Sequence, residues 1–349
     1  MIRSRTTESI SAGRLAASVD GARASVLTAL CVLVAGAAIW SVTLGASRIA
    51  AVDVLAAIFA FDGSREHLVV TTLRLPRVLA GLLAGSALAV AGAIMQAVTN
   101  NPLASPGLLG INAGAAFAVV MAISLLGVAS SSAHVWFAFG GAGAAAVVVY
   151  ALASAGPAGA TPLKLVLAGA VLTAFLTSLT TAILIFDQST LDAVRLWTAG
   201  SIAGRTMAQV AAVAPYILAG LAAAILFRRH LVTLSLGANV ARSVGQNPVL
   251  WRCLAVVIVI LLAGGAVALS GPIGFVGLVV PHIARLTVGV DYRWIIPFGA
   301  AGGALLVVLA DTLGRTVFAS QSFPVGVTMA LVGAPFFIWL ARSRADGAR

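Results

Sequence analysis

The sequence predicts an all-α protein that crosses a membrane about ten times. Three observations carry this. Of 349 residues, 61% are hydrophobic and 9% are charged, whereas a soluble domain carries roughly a quarter charged residues. The apolar residues gather into ten runs, most of them close to the ~20 residues that a helix needs to cross the hydrocarbon core. Glycine (36 residues) and alanine saturate those runs. Small residues of this kind let helices pack backbone to backbone in lipid, where no hydrophobic force drives them together. The same numbers exclude a disordered chain, a collagen and a disulfide scaffold.

Residues 1–24 are polar, carry Arg3, Arg5, Arg14 and Arg23, and read as a cytoplasmic tail before the first run at 25–44. That run has span length and a long leader, so it reads as a retained helix rather than a cleaved signal. A mixed loop, 45–73, follows, in which 52–59 reads as a short helix lying at the membrane interface. Further runs lie at 76–98, 107–127, 134–153, 163–186, 208–227, 251–270, 274–289, 294–313 and 325–341, the eighth interrupted by Pro281, with a second polar tail at 342–349. The expected organisation is therefore one ten-helix body, 25–341, between two short tails.

Ten crossings place both termini on one side, and the basic residues say which. With the N-terminus inside, 14 of the 21 basic residues fall on the inner side and 7 (Arg48, Arg65, Arg74, Arg77, Arg195, Arg205 and Arg315) on the outer side. That bias puts both termini in the cytoplasm. The net charge of +11 sits at the ends of spans, so it does not point to nucleic acid as it would in a soluble protein. Cys31 and Cys253 lie inside apolar runs, and His67, His134, His230 and His282 are scattered without metal-ligand spacing. Residues 85–92 and 264–271 match at four of eight positions on runs of opposite direction, a weak sign of an inverted repeat. An ion-coupled transporter needs ionisable groups at membrane depth, yet Asp187, Asp291 and Asp311 fall at span ends. No nucleophile–base pair marks a membrane enzyme. The one lysine, Lys164, follows Leu163, so no phosphate-binding Gly-Lys-Ser/Thr loop exists, and any ATP must be hydrolysed by another chain.

Five segments carry the remaining information. Arg74-Leu75-Pro76-Arg77 opens the second run, with proline suited to a first helical turn and both arginines expected on one face at the aqueous edge. Asn100-Asn101-Pro102-Leu103-Ala104-Ser105-Pro106-Gly107 joins the second and third runs in a rigid inner turn. The longest inner loop, 228–250, contains Leu236, Val240 and Val244 at four-residue spacing. That reads as one short helix capped by Ser235 and ended by Gly245, its apolar stripe turned to a cytoplasmic partner. The fourth segment is 270–286, from Ser270-Gly271-Pro272 through Pro281-His282, and the fifth comprises 309–315, 323–326 and 333–337.

These segments, in this order, resemble the FecCD family, whose members are permeases of ATP-driven importers for iron–siderophore complexes, haem and vitamin B12. The likeness runs from about residue 70 to 341. It implies the ten-helix type II ABC importer permease fold in a bacterial cytoplasmic (inner) membrane, surrounded by lipid. It also implies a second permease subunit (a homodimer or heterodimer), two ABC ATPase subunits inside, and a periplasmic or lipoprotein binding protein outside. No nucleic acid, metal or cofactor is implied for this chain; ATP belongs to the partner. By the same resemblance Arg74, Arg77 and Arg315 pair with carboxylates of the docked binding protein. Asn101 and Leu103 match an inner gate, with Thr161, Pro162 and Leu163 as its second element. The 236–245 stretch, with Leu236, Gly237, Val240, Ala241, Arg242 and Gly245, matches the coupling helix that enters a cleft of the ATPase. The fifth and tenth runs match helices lining the path. The chain departs from the family where Ser105 stands for a usual Asp and Ser322 for a usual Glu. The implied activity is import of an iron(III)–siderophore complex. Vitamin B12 or haem import is the alternative within the family, and an ion-coupled secondary transporter is the alternative outside it.

Overall fold

The computed structural model describes residues 2–45, 48–156, 160–318 and 323–346, with side chains throughout except at 2–18, 337 and 339–346. The described residues form fourteen helices and no strand: α1 (Ile2–Thr43), α2 (Ala51–Phe59), α3 (Arg65–Thr99), α4 (Ile111–Ser124), α5 (Ser131–Ser154), α6 (Pro162–Phe186), α7 (Gln188–Thr198), α8 (Met207–Leu226), α9 (Arg228–Ser235), α10 (Ala238–Ser243), α11 (Pro248–Ser270), α12 (Val276–Val288), α13 (Tyr292–Val317) and α14 (Val325–Asp346). Among them α1, α3, α5, α6, α8, α11 and α13 are long and apolar enough to cross a membrane, and α4, α12 and α14 supply shorter apolar stretches. These ten correspond to the ten runs of the sequence. The two tails do not stand apart, because α1 is helical back to Ile2 and α14 runs on to Asp346.

The helix starts follow local chemistry. Side chains of Ser64, Thr161, Asp187, Thr206, Asn247 and Asp291 each accept a backbone N–H of the helix that follows, satisfying donors that have no intrahelical acceptor. Thr206 and Gln209 form a reciprocal capping box. The second run begins earlier than expected, at Arg65, so Pro76 lies inside α3 rather than at its start. A π-turn, Val70–Arg74, sits just before Pro76. A proline cannot donate to the carbonyl four residues back and its ring crowds that turn; the widened turn absorbs the defect.

Helix α3 is the hub, with 78% of its most apolar stretch buried against 11% for α6. Glycine makes its central contacts possible: Gly85 packs on the Gly303 backbone of α13, and Gly92 on the Gly277 backbone of α12, at separations with no room for a Cβ. Several contacts join the ends of helices that are distant in the chain. Asp20 of α1 accepts from Trp294 Nε1 of α13 at 3.2 Å, and Arg252 of α11 donates to Ala160 O before α6 at 3.1 Å, both at ends that the charge bias assigns to the inner side. At an end that the charge bias assigns to the outer side, Gly326 N of α14 donates to Gly200 O at 2.9 Å.

Candidate functional site

Three helices, α1, α3 and α13, build a clamp of charged side chains at the end of the bundle that the charge bias assigns to the outer side. Arg74 and Arg77 of α3 were expected at the aqueous edge, and the structure corrects this: Arg74 is 7% and Arg77 8% exposed, and the side chain of Arg315 of α13 is equally enclosed. Arg77 grips Asp311 with two bonds, Nε to Oδ2 at 2.9 Å and Nη2 to Oδ1 at 2.7 Å. Arg315 Nε lies 3.4 Å from the same carboxylate. The remaining donors turn to the end of α1. Arg74 Nη1 donates to Val42 O (2.8 Å) and Thr43 O (3.1 Å), while Arg315 donates to Leu44 O (2.9 Å), Ser41 O (2.8 Å) and Ser41 Oγ (2.6 Å). Four successive carbonyls, 41 to 44, thus receive guanidinium donors. Those are the groups a helix leaves unsatisfied at its C-terminus, and they carry the negative end of its dipole. Three cations facing one carboxylate are tolerable here because the carbonyls of α1 supply the remaining negative potential. Gly45 is part of the fit, since a Cβ there would lie 2.7 Å from Arg74 Nη2. The sequence reading missed Asp311 and Ser41; the i, i+4 spacing of Asp311 and Arg315 was the available sign.

The short helix α7 packs against α4 and α6. Its cap Asp187 accepts from Thr190 Oγ1 (2.6 Å), Thr190 N (3.0 Å) and Ser189 Oγ (2.7 Å). These hydrogen bonds, Thr190 first, hold its carboxyl well below the usual carboxylate range.

The two segments expected to form a gate are both ordered turns at helix starts. Asn101 Oδ1 accepts Leu103 N at 2.9 Å and Asn101 O accepts Ala104 N at 3.1 Å, which locks the turn. Ala104, Pro106 and Leu109 are buried, and Leu103 is left exposed. The turn leans on α6, where Gly169 meets the Leu108 carbonyl without room for a side chain. Thr161 and Pro162 start α6, Thr161 capping it through Lys164 N, and Leu163 in its first turn is exposed. Two exposed leucines are thus held on rigid turns at one end of the bundle.

The coupling segment differs from its expected form. The 236–245 stretch is not one helix. Leu236 ends α9, Gly237 breaks the chain at φ +102°, and α10 covers Ala238–Ser243 before Gly245 turns at φ +76°. Ser235 does not cap α10, because its hydroxyl donates to Val232 O inside α9 (2.7 Å). The apolar stripe survives the break: Leu236, Val240 and Val244 are all exposed, while Ala241 is fully buried and roots α10 on the bundle. Arg242 donates to Asn239 Oδ1 at 3.4 Å. Gln246 Nε2 donates to His230 O at 3.2 Å, and the His230 ring stacks on Trp251 at 3.5 Å. Burial there lowers the imidazole pKa below its ordinary value. Among the described residues no group of three His, Cys, Asp or Glu stands ready to hold a metal ion.

A model of the FecCD transport family matches residues 26–343. The chain belongs to the FecCD transport family. Relatives share this over nearly their whole length. The Fe(3+)-citrate import system permease protein YfmD of Bacillus subtilis (strain 168) is 44% identical over 302 residues, covering 86% of this chain and 90% of that one. The ferric enterobactin transport system permease protein FepD of Escherichia coli (strain K12) is 39% identical over 334 residues, 95% of this chain and 99% of that one. A solved metal-chelate type ABC transporter in an inward-facing conformation superposes with a TM-score of 0.80 at 25% identity, over 91% of this chain and 99% of that one. The FecCD assignment and the ABC importer permease fold therefore agree.

Proposed function

We propose that this chain is the membrane permease of an importer that carries an iron(III) chelate of the siderophore or citrate type inward. The observation that carries the reading is the 44% identity across 86% of the chain to a protein named for Fe(3+)-citrate import. The geometry supplies a mechanism. α10 stands off the inner ends of the bundle with Leu236, Val240 and Val244 exposed, a surface for an ATPase subunit. Its buried Ala241 passes movement of that subunit to the bundle. Two packings of α3 against its neighbours then open the path to one side at a time. The ATP is hydrolysed on the partner, two copies per importer, and a second permease subunit completes the path between the α6 and α14 helices. Leu103 and Leu163 close it inside. Both termini face the cytoplasm, following the charge bias of the loops.

A binding protein docks on the outer surface. Arg74, Arg77 and Arg315 serve it as the frame that holds α1, α3 and α13 in register, since their donors are engaged within the chain. The test is uptake into proteoliposomes that contain the permease, its ATPase and its binding protein, with ferric citrate, ferric siderophores, haem and vitamin B12 offered in turn. The reading expects ATP-driven uptake of an iron(III) chelate. Accumulation of haem or vitamin B12 alone would refute it.

A further inference from the structure

The seven outer arginines divide by their surroundings. Arg74, Arg77 and Arg315 form the clamp on α1, Arg195 pairs with Asp192 at 3.3 Å, and Arg48 and Arg65 are exposed. Arg205 differs from all of these. It is half-buried, its Nε is cut off from solvent without an acceptor, and it makes no hydrogen bond or ion pair with any described residue. The outer segments outside the described residues, 46–47 and 319–322, contain no Asp or Glu. Among the described residues no carboxylate neutralises Arg205.

Its position is fixed. The loop 199–206 is pinned at three points. Gly200 O accepts Gly326 N from the start of α14 at 2.9 Å. Gly200, at φ +79°, sits against Pro272 O, which a Cβ would approach to 2.6 Å. Ile202 is buried over Gly81 of α3, where a Cβ would lie 3.2 Å from its Cδ1. Arg205 thus stands at the outer end of the bundle, on a loop tied to the first turn of α14, immediately before α8, whose first turn carries no acidic residue. Burial lowers its pKa and no acidic neighbour opposes the shift. A partly desolvated, uncompensated guanidinium is costly to keep, and a planar fork of donors fits carboxylate oxygens.

We infer that Arg205 is an anion-recognising residue at the outer mouth of the path and selects iron chelates that carry free carboxylate or other negative charge over neutral ones. The inference rests on the proposed import of iron chelates and names a property of that cargo. Ferric citrate, with its surplus carboxylates, is the type of ligand it takes.

Two measurements test it. In the complete reconstituted importer, Arg205→Gln should lower ATP-driven uptake of ferric citrate at sub-saturating concentration by about tenfold, the worth of one charged hydrogen bond. Uptake of a neutral ferric trihydroxamate should stay within about twofold, and Arg205→Lys should recover only part of the loss, since it keeps the charge without the planar fork. Equal losses for both chelates would overturn the inference and point to docking of the binding protein. No loss for ferric citrate would overturn it too. The second measurement needs no transport, so it separates this inference from the proposed function. The melting temperature of the purified permease should rise in about 1 mM sodium citrate, too dilute to stabilise proteins by exclusion, relative to sodium chloride at equal ionic strength, and the rise should vanish in Arg205→Gln. A rise that persists in that variant, or none in the wild type, contradicts the site.

Discussion

Replacing Asp311 by Asn leaves its shape and removes the one carboxylate of the outer clamp. The side chain is 3% exposed, accepts two short bonds from Arg77, and lies 3.4 Å from Arg315 Nε. Removing one partner of a buried pair strands the other charge and costs about 3–5 kcal/mol. Here two guanidiniums lose their carboxylate, so the loss should sit in the upper part of that range. Arg77→Gln should cost a comparable amount, since it strands Asp311 beside one weaker partner. If the pair acts as a unit, the double variant should lose less than the sum of the singles by about 1–3 kcal/mol. The assay is the unfolding free energy in mixed detergent micelles, with hydrogen exchange at residues 41–45 as the local probe, because Arg315 is also the cap of α1. Faster exchange there in Asp311→Asn is expected. Additive single effects, within about 0.5 kcal/mol, with unchanged exchange would refute the clamp.

Other consequences are as direct. Gly85→Val should destabilise the bundle by about 1–3 kcal/mol through overpacking against Gly303, seen as a lower melting temperature; an unchanged one would mean that α3 and α13 separate freely. Changing Leu236, Val240 and Val244 together to Ser should leave the melting temperature unmoved, since all three are exposed, yet weaken ATPase binding at least about tenfold; retained affinity in a pull-down titration would remove α10 from the interface. Ala241→Leu should spare ATPase binding but cut uptake per ATP, because the buried root of α10 is displaced. Partial burial lowers the pKa of the His230 imidazole, which stacks on Trp251. Its folded-state pKa is depressed, so its contribution is intact above pH 6.5 and is lost as pH falls towards the folded value. Trp251 fluorescence should report loosening of the stack on acidification, and a His230→Gln variant should not show it.

The spans were legible because a crossing helix must be apolar for most of its length, and all ten runs recur as helices. What lay along the membrane was not. α7 and α9 mix polar and apolar residues at helical spacing without an apolar run, so they read as loop. The start of α3 was misplaced because Pro76 resembles a first-turn proline, and a π-turn that accommodates an internal proline leaves no mark in the residues before it. In the coupling segment the four-residue spacing was real, but Gly237 breaks the helix under it, and Leu236, Val240 and Val244 each stay exposed across the break. The clamp was hardest to see. Arginine side chains at 74 and 315 find backbone carbonyls at 41–44, and carbonyls have no residue type to read. A buried cation and an exposed one look alike until the fold decides.

The account stands or falls on where the energy comes from. Purified permease in sealed vesicles, with its ATPase and binding protein, should accumulate an iron(III) chelate when ATP is supplied and stop when ATP hydrolysis is blocked. The same chain alone, given a proton or sodium gradient and no ATP, should accumulate nothing. Uphill uptake driven by the ion gradient alone would contradict the assignment of this chain as a conduit worked by a separate ATPase.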